Sequence, residues 1–116
     1  MTTLTVVTAL ASAARTVTGT VDLGAVPGEH DELAIYINVT AVSGTTPSMT
    51  VTYQSSPDNV TFFDNTAGTA ITATGKQLIK VATVSGKYGR LSYAISGTTP
   101  SFTFSAIIEA KRMGTT

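Results

Sequence analysis

The sequence predicts an all-β protein: an antiparallel β-sandwich, jelly-roll or immunoglobulin-like, in a single domain. Three observations carry that expectation. Apolar and polar residues alternate with a period of two, most clearly over residues 33–42, where Leu33, Ile35, Ile37 and Val39 share one face. Short connections rich in Gly and Pro separate the alternating runs. Thr supplies about one residue in five, and with Val and Ile it favours pleated surfaces.

Taken in order, residues 1–14 read as an N-terminal strand or extended arm. Their Ala-rich patch at 9–14 is too short to stand as a helix. Residues 15–112 form the sandwich domain, and 113–116 are a flexible tail that frays from Lys111 onward. Within the domain, Val17, Val21 and Leu23 share a parity that Gly19 interrupts, which marks a bulge. Pro27-Gly28 opens a loop carrying Glu29, His30, Asp31 and Glu32. After the strand at 33–42, Met49, Val51 and Tyr53 continue a buried face. Ser56-Pro57-Asp58-Asn59 is a turn whose Ser and Asp side chains accept from backbone N–H groups and whose Asn takes a left-handed φ. Phe62 is expected to anchor a short strand at 60–63 in the core, with 64–68 as a connection. Ile79 and Val81 then face inward with Lys80 outward, and Leu91, Tyr93 and Ile95 share a face, as do Phe102, Phe104, Ala106 and Ile108.

One hexapeptide occurs twice, Ser43-Gly44-Thr45-Thr46-Pro47-Ser48 and Ser96-Gly97-Thr98-Thr99-Pro100-Ser101. Each copy follows one alternating run and precedes another. The expectation is a pair of related hairpins in which Gly44 and Gly97 make the reversals and Pro47 and Pro100 start the return strands. Val42 sits out of phase with Val39: either it faces away from the core, or a bulge shifts the phase before the first hexapeptide. If both tips lie at one end of the sandwich, they form a paired, uncharged contact surface. Thr45, Thr46, Pro47, Thr98, Thr99 and Pro100, together with Arg15, are the candidate protein–protein contacts.

Composition narrows the function classes. A chain of 116 residues buries about two-thirds of its unfolded surface, enough for a core without staples. With no cysteine there is no disulfide, thiolate-ligated zinc or cysteine nucleophile, which points to folding in a reducing cytosol. Seven basic and seven acidic residues form no basic stripe for nucleic acid, and no apolar run approaches the roughly 20 residues of a membrane helix. The N-terminus lacks the basic and long apolar regions of a signal peptide. Only 12% of residues are charged, against about 25–35% on a typical soluble surface, so part of the surface is expected to be hidden in an assembly.

Catalytic chemistry has little to stand on. His30 is the single histidine, beside Glu29 and Asp31, and no nucleophile motif or second base accompanies it, so it reads as a solvated loop residue. Asp22, Asp31, Glu32, Asp58 and Asp64 lack any calcium-loop spacing and read as turn formers. Neither enzyme activity nor a cofactor or metal is expected. A glycan site would need exposed aromatics, for which Tyr36, Phe63 and Tyr88 are the candidates.

The order of motifs runs from Ala11-Ser12-Ala13-Ala14-Arg15 and Val21-Asp22-Leu23-Gly24 through Asn38-Val39-Thr40-Ala41-Val42 and Gln54-Ser55-Ser56-Pro57-Asp58. It ends in Gly89-Arg90-Leu91 and Phe102-Thr103-Phe104. Over nearly the whole chain this resembles the small β-rich virion proteins of tailed bacteriophages. Where that family often carries Trp after the Asp58 turn, this chain has Phe62-Phe63. The resemblance implies a head decoration (capsid cement) protein, frequently trimeric, that folds in the host cytoplasm and clamps the major capsid protein at the capsid surface. It also implies alternatives: a neck, tail or baseplate component, or a glycan-binding adsorption module. In the decoration reading, the arm ending at Arg15 adds a strand to a neighbouring subunit.

Overall fold

Two long strands, each running through the repeated hexapeptide, set the architecture. The computed structural model describes residues 2–25, 27–82 and 84–113. Among these, the strands are β1 (Thr2–Arg15), β2 (Gly19–Gly24), β3 (Glu32–Ser56), β4 (Phe63–Ala67), β5 (Gly75–Val81) and β6 (Tyr88–Met113), with a single 3-10 turn at Pro27–Glu29 before β3. β3 and β6 pair antiparallel along their whole length, from Glu32 opposite Lys111 to Ser56 opposite Tyr88. A straight strand of 25 residues would be about 80 Å long. The molecule measures 52 Å in its longest dimension, so both strands must bend.

They bend at the hexapeptides. Residues 32–43 of β3 lie between β5 and residues 101–111 of β6, whose other side pairs with β1. Residues 48–56 of β3 lie between β4 and residues 88–96 of β6, whose other side pairs with β2. The result is two four-stranded layers, β1–β6–β3–β5 and β2–β6–β3–β4, with β3 and β6 contributing one arm to each. That strand order is a jelly roll, and it excludes the immunoglobulin-like alternative. The pairing is two-fold symmetric: β1, β2 and β3 occupy in one half of the chain the places of β4, β5 and β6 in the other.

The core lies between the layers. Leu33, Ile35, Ile37, Val39, Ile79, Val81, Phe102, Phe104, Ala106 and Ile108 come from the first layer, and Met49, Val51, Tyr53 and Leu91 from the second. Tyr93 of the second layer meets Phe104 of the first edge-on, with ring centroids 5.5 Å apart. A register shift between Val39 and Ala41 places Val42 opposite Phe102 and packs it against the core, so the bulge reading of its phase is correct.

Several expectations change. No hairpin joins residues 33–42 to 49–53; each arm pairs with β6, because the connection carries the chain across to the other layer instead of back along itself. Of the two readings of the N-terminal segment, residues 2–14 take the strand: β1 adds to β6 of the same chain. Lys111–Met113 belong to β6, while the rest of the expected tail, 114–116, lies outside the described residues. The short strand falls at Phe63–Ala67, since residues 57–60 are held in the turn. Gly19 pairs in regular register with Tyr93, and Val17 is exposed.

Tyr53 is fully buried, and its hydroxyl has no hydrogen-bond partner among the described residues. Burial, only partly offset by the nearby Ser55 hydroxyl, pushes its pKa up to about 12. The folded state therefore keeps the phenol neutral where the unfolded chain ionises. The associated stability is intact below pH 10 and is lost as pH rises toward 12. Tyr53→Phe should unfold near the wild-type urea midpoint at pH 7 and should flatten the loss of stability between pH 10 and 12; a midpoint unchanged in its alkaline slope would show that other groups set it. Deleting residues 2–14 should abolish cooperative unfolding followed by far-UV circular dichroism, because it strips the ladder from residues 103–113. A truncated chain with native dichroism would make β1 dispensable.

Candidate functional site

The corner where β3 and β6 cross between layers brings the two hexapeptides side by side. Ser43 pairs with Ser101, Thr45 with Thr98 and Ser48 with Ser96, with register shifts on both sides of Thr45. The same two positions take a left-handed backbone in each copy: Gly44 and Gly97 at φ 110° and 122°, Thr46 and Thr99 at φ 47° and 46°. A Cβ on Gly44 would lie 2.7 Å from the Thr99 carbonyl oxygen and 2.9 Å from Pro100 Cα. One on Gly97 would lie 2.8 Å from the Thr46 carbonyl oxygen and 3.0 Å from Pro47 Cα. Each glycine is thus seated on the backbone of the other copy. The two copies of the hexapeptide pack against each other.

Six of the seven candidate contacts gather here. Thr45, Thr46, Thr98 and Thr99 are exposed, and Pro47 and Pro100 are half-buried. No residue of either copy is charged, so a partner would meet threonine methyls, hydroxyls and proline rings. Thr46 Oγ1 donates to the Thr45 carbonyl at 2.8 Å. A β-branched residue at positive φ is strained by about 1–3 kcal/mol, and Gly or Asn would relieve it.

Arg15 is placed beside the corner, opposite Phe102, and its half-buried side chain folds back over β1 and Phe104. Its Nη1 donates to the carbonyls of Ala13 (3.1 Å) and Phe104 (2.9 Å), and Nη2 to that of Ala11 (2.9 Å). The cation also sits 4.7 Å from the Phe104 ring centroid. Register shifts between Thr8 and Ala13 free carbonyls that this side chain then satisfies. Arg15 is a clamp on β1.

The other residues singled out in the sequence do not converge. Ser56 Oγ accepts from the Asn59 N–H at 2.9 Å, and Asp58 Oδ1 from those of Val60 and Thr61, both at 2.9 Å, with Asn59 at φ 62°. The turn has the expected chemistry. Those two N–H groups and the Ser56 hydroxyl hold the Asp58 carboxyl below the usual range. Phe62 is not a core anchor. It lies half-buried against the Arg90 guanidinium, 4.0 Å from the ring centroid, while Arg90 Nε donates to Gln54 Oε1 (2.6 Å) and Gln54 Nε2 to Asp64 Oδ1 (2.7 Å). Of the aromatics, Tyr36 is in the first layer, while Phe63 and the half-buried Tyr88 are in the second. His30 Nε2 is 3.3 Å from Thr5 Oγ1. Among the described residues, no three His, Cys, Asp or Glu side chains come together as a metal site, and no helix is long and apolar enough to cross a membrane.

Two features escaped the sequence reading. The corner is an intramolecular pairing of the repeats, whose signal was present in the identity of the two hexapeptides. A shallow open groove of about 390 Å³ crosses the outer face of the first layer, floored by Ala34 and bordered by Tyr36, Lys80, Glu109, Glu32 and Lys111. The Lys111–Glu32 pair there, 3.7 Å apart and exposed, contributes little to stability.

No family model matches the chain, and no curated protein is similar to it in sequence. Solved structures share its fold. It is similar to the SPBc2 prophage-derived protein YomS (TM-score 0.53, 13% identity, covering 95% of this chain and 96% of that one). It is similar to a chain in the structure of infectious bursal disease virus, Gx strain (TM-score 0.60, 15% identity, 98% of this chain), of which it spans 33% of the length. It is also similar to PirA (TM-score 0.53, 12% identity, 87% of this chain and 93% of that one). The likeness is one of fold: an all-β sandwich that also occurs in a prophage-derived protein and in a virus.

The two glycines make a paired prediction. Gly44→Ala and Gly97→Ala should each lower urea-unfolding stability by more than about 1 kcal/mol, and by similar amounts. The double variant should lose less than the sum, because both act on one contact. A single variant without effect would contradict the reciprocal packing.

Proposed function

We propose that this chain is a structural protein of a tailed-bacteriophage virion, and more finely a head decoration (cement) protein that binds the assembled capsid lattice and stabilises it. The observation that carries the reading is the end-to-end likeness to a prophage-derived protein, with a second likeness to a chain of a viral particle. The uncharged corner supports it. Contact through threonine and proline leaves no charge to be desolvated, a cost that falls heavily on ionic surfaces. A cement protein acts by binding, not catalysis. Modest contacts repeated over a lattice raise avidity by about 10²–10⁴ without one strong site.

In this reading the protein folds in the host cytoplasm and then meets the major capsid protein, with the corner residues Thr45, Thr46, Pro47, Thr98, Thr99 and Pro100 at the contact. The strained Thr46 and Thr99 give the means to test it. Cryo-electron microscopy of capsids lacking the protein, after adding it back, should show ordered density on the head. Thr46→Gly with Thr99→Gly should keep or raise the thermal midpoint while lowering capsid occupancy several-fold. Absence of density on the head overturns the decoration reading, and density on the neck or tail places the protein there instead. Full occupancy by the double variant removes the corner as the contact.

A further inference from the structure

Most of the apolar surface that the core does not use lies on the outer face of the first layer. Leu4 and Val6 of β1, Ile107 of β6, Tyr36 of β3 and Leu78 of β5 are all exposed, Tyr36 at 43% and Leu78 at 47%. Backbone register arranges the face in rows. One row reads Thr8, Ile107, Tyr36, Leu78, and the next Val6, Glu109, Ala34, Lys80. In the second row Ala34 keeps Lys80 and Glu109 two strand spacings apart, about 9–10 Å. Glu109 takes a long hydrogen bond of 3.4 Å from the Tyr36 hydroxyl.

We propose that this face is a two-fold contact between two copies of this chain. A two-fold axis lying in the interface along β3 sets β6 of one copy against β5 of the other at the same height. Ile107 then meets the partner's Leu78, Tyr36 meets the partner's Tyr36, and Glu109 meets the partner's Lys80; each unlike pair forms twice, as an isologous contact requires. The charges favour this axis: it makes two Lys80–Glu109 pairs against one meeting of Glu32 with the partner's Glu32, where each Glu32 already pairs with Lys111 of its own copy. The alternative in-plane two-fold, running across the strands through the Tyr36 row, sets Lys80 against the partner's Lys76, because these residues flank Leu78 on β5. The groove above Ala34 gives the two Lys–Glu pairs room to cross between the sheets, which stack about 10 Å apart.

The overlap spans three strands, β6, β3 and β5, about 14 Å, with β1 outside it, and is small beside a standard interface of roughly 800 Å² per partner. The dimer is therefore concentration-dependent in solution, and it is two-fold where the family resemblance implies a trimer. It goes beyond the virion reading and stands apart from it, since it is read on the isolated protein.

Sedimentation velocity on the purified full chain, from micromolar to near-millimolar concentration, tests it. A monomer–dimer equilibrium is expected. Lys80→Glu should weaken it at least about tenfold by facing two acidic pairs, and adding Glu109→Lys should restore it. Leu78→Ser should also weaken it, with the far-UV dichroism of every variant unchanged because these side chains are exposed or half-buried on the outer face. A chain that stays monomeric throughout, a trimer, a Lys80→Glu variant that dimerises as wild type does, or a charge-swapped variant that is not restored would each overturn the proposal.

Discussion

The fold depends on one reciprocal contact, the seating of Gly44 on the Thr99–Pro100 backbone and of Gly97 on the Thr46–Pro47 backbone. Both long strands must change layers at the same place, and they can do so side by side only if neither carries a side chain where they touch. Everything else follows from that crossing. Each strand contributes an arm to both sheets, each arm acquires an outer neighbour, and the apolar faces of all four arms close on one core.

The parts of the fold that rest on local periodicity were legible in the sequence. The inward parity of Leu33 to Val39, of Ile79 and Val81, and of Phe102 to Ile108 followed from alternation alone, and the Ser56–Asn59 turn followed from its own residue types. The corner was misread for a physical reason. A hairpin turn and a layer-crossing corner ask the same things of their residues: positive φ, a proline, no bulk. They differ only in which distant strand is hydrogen-bonded, and that is invisible within six residues. Phe62 failed similarly, because the partner that draws it to the outer face is Arg90, far along the chain.

The candidate contacts divide along the same line. The hexapeptide threonines were recognisable as an uncharged surface from composition, and the structure brings them together at one place. Arg15 also holds β1, donating to three carbonyls of its own chain. The outer face of the first layer had the opposite problem. Tyr36, Leu78 and Ile107 sit on three strands, so their common row exists only once register is known.

The pairing of β1 with the end of β6 has a consequence for how the molecule is made. β1 finds its neighbour only after about 90–110 further residues have been added, on the order of ten seconds later. Until then β1 presents an unpaired edge. Its alternation of Thr with Leu4, Val6 and the half-buried Val7 leaves it without a long apolar run in that interval. The same ordering makes the native pairings long-range in sequence, a topology that folds slowly.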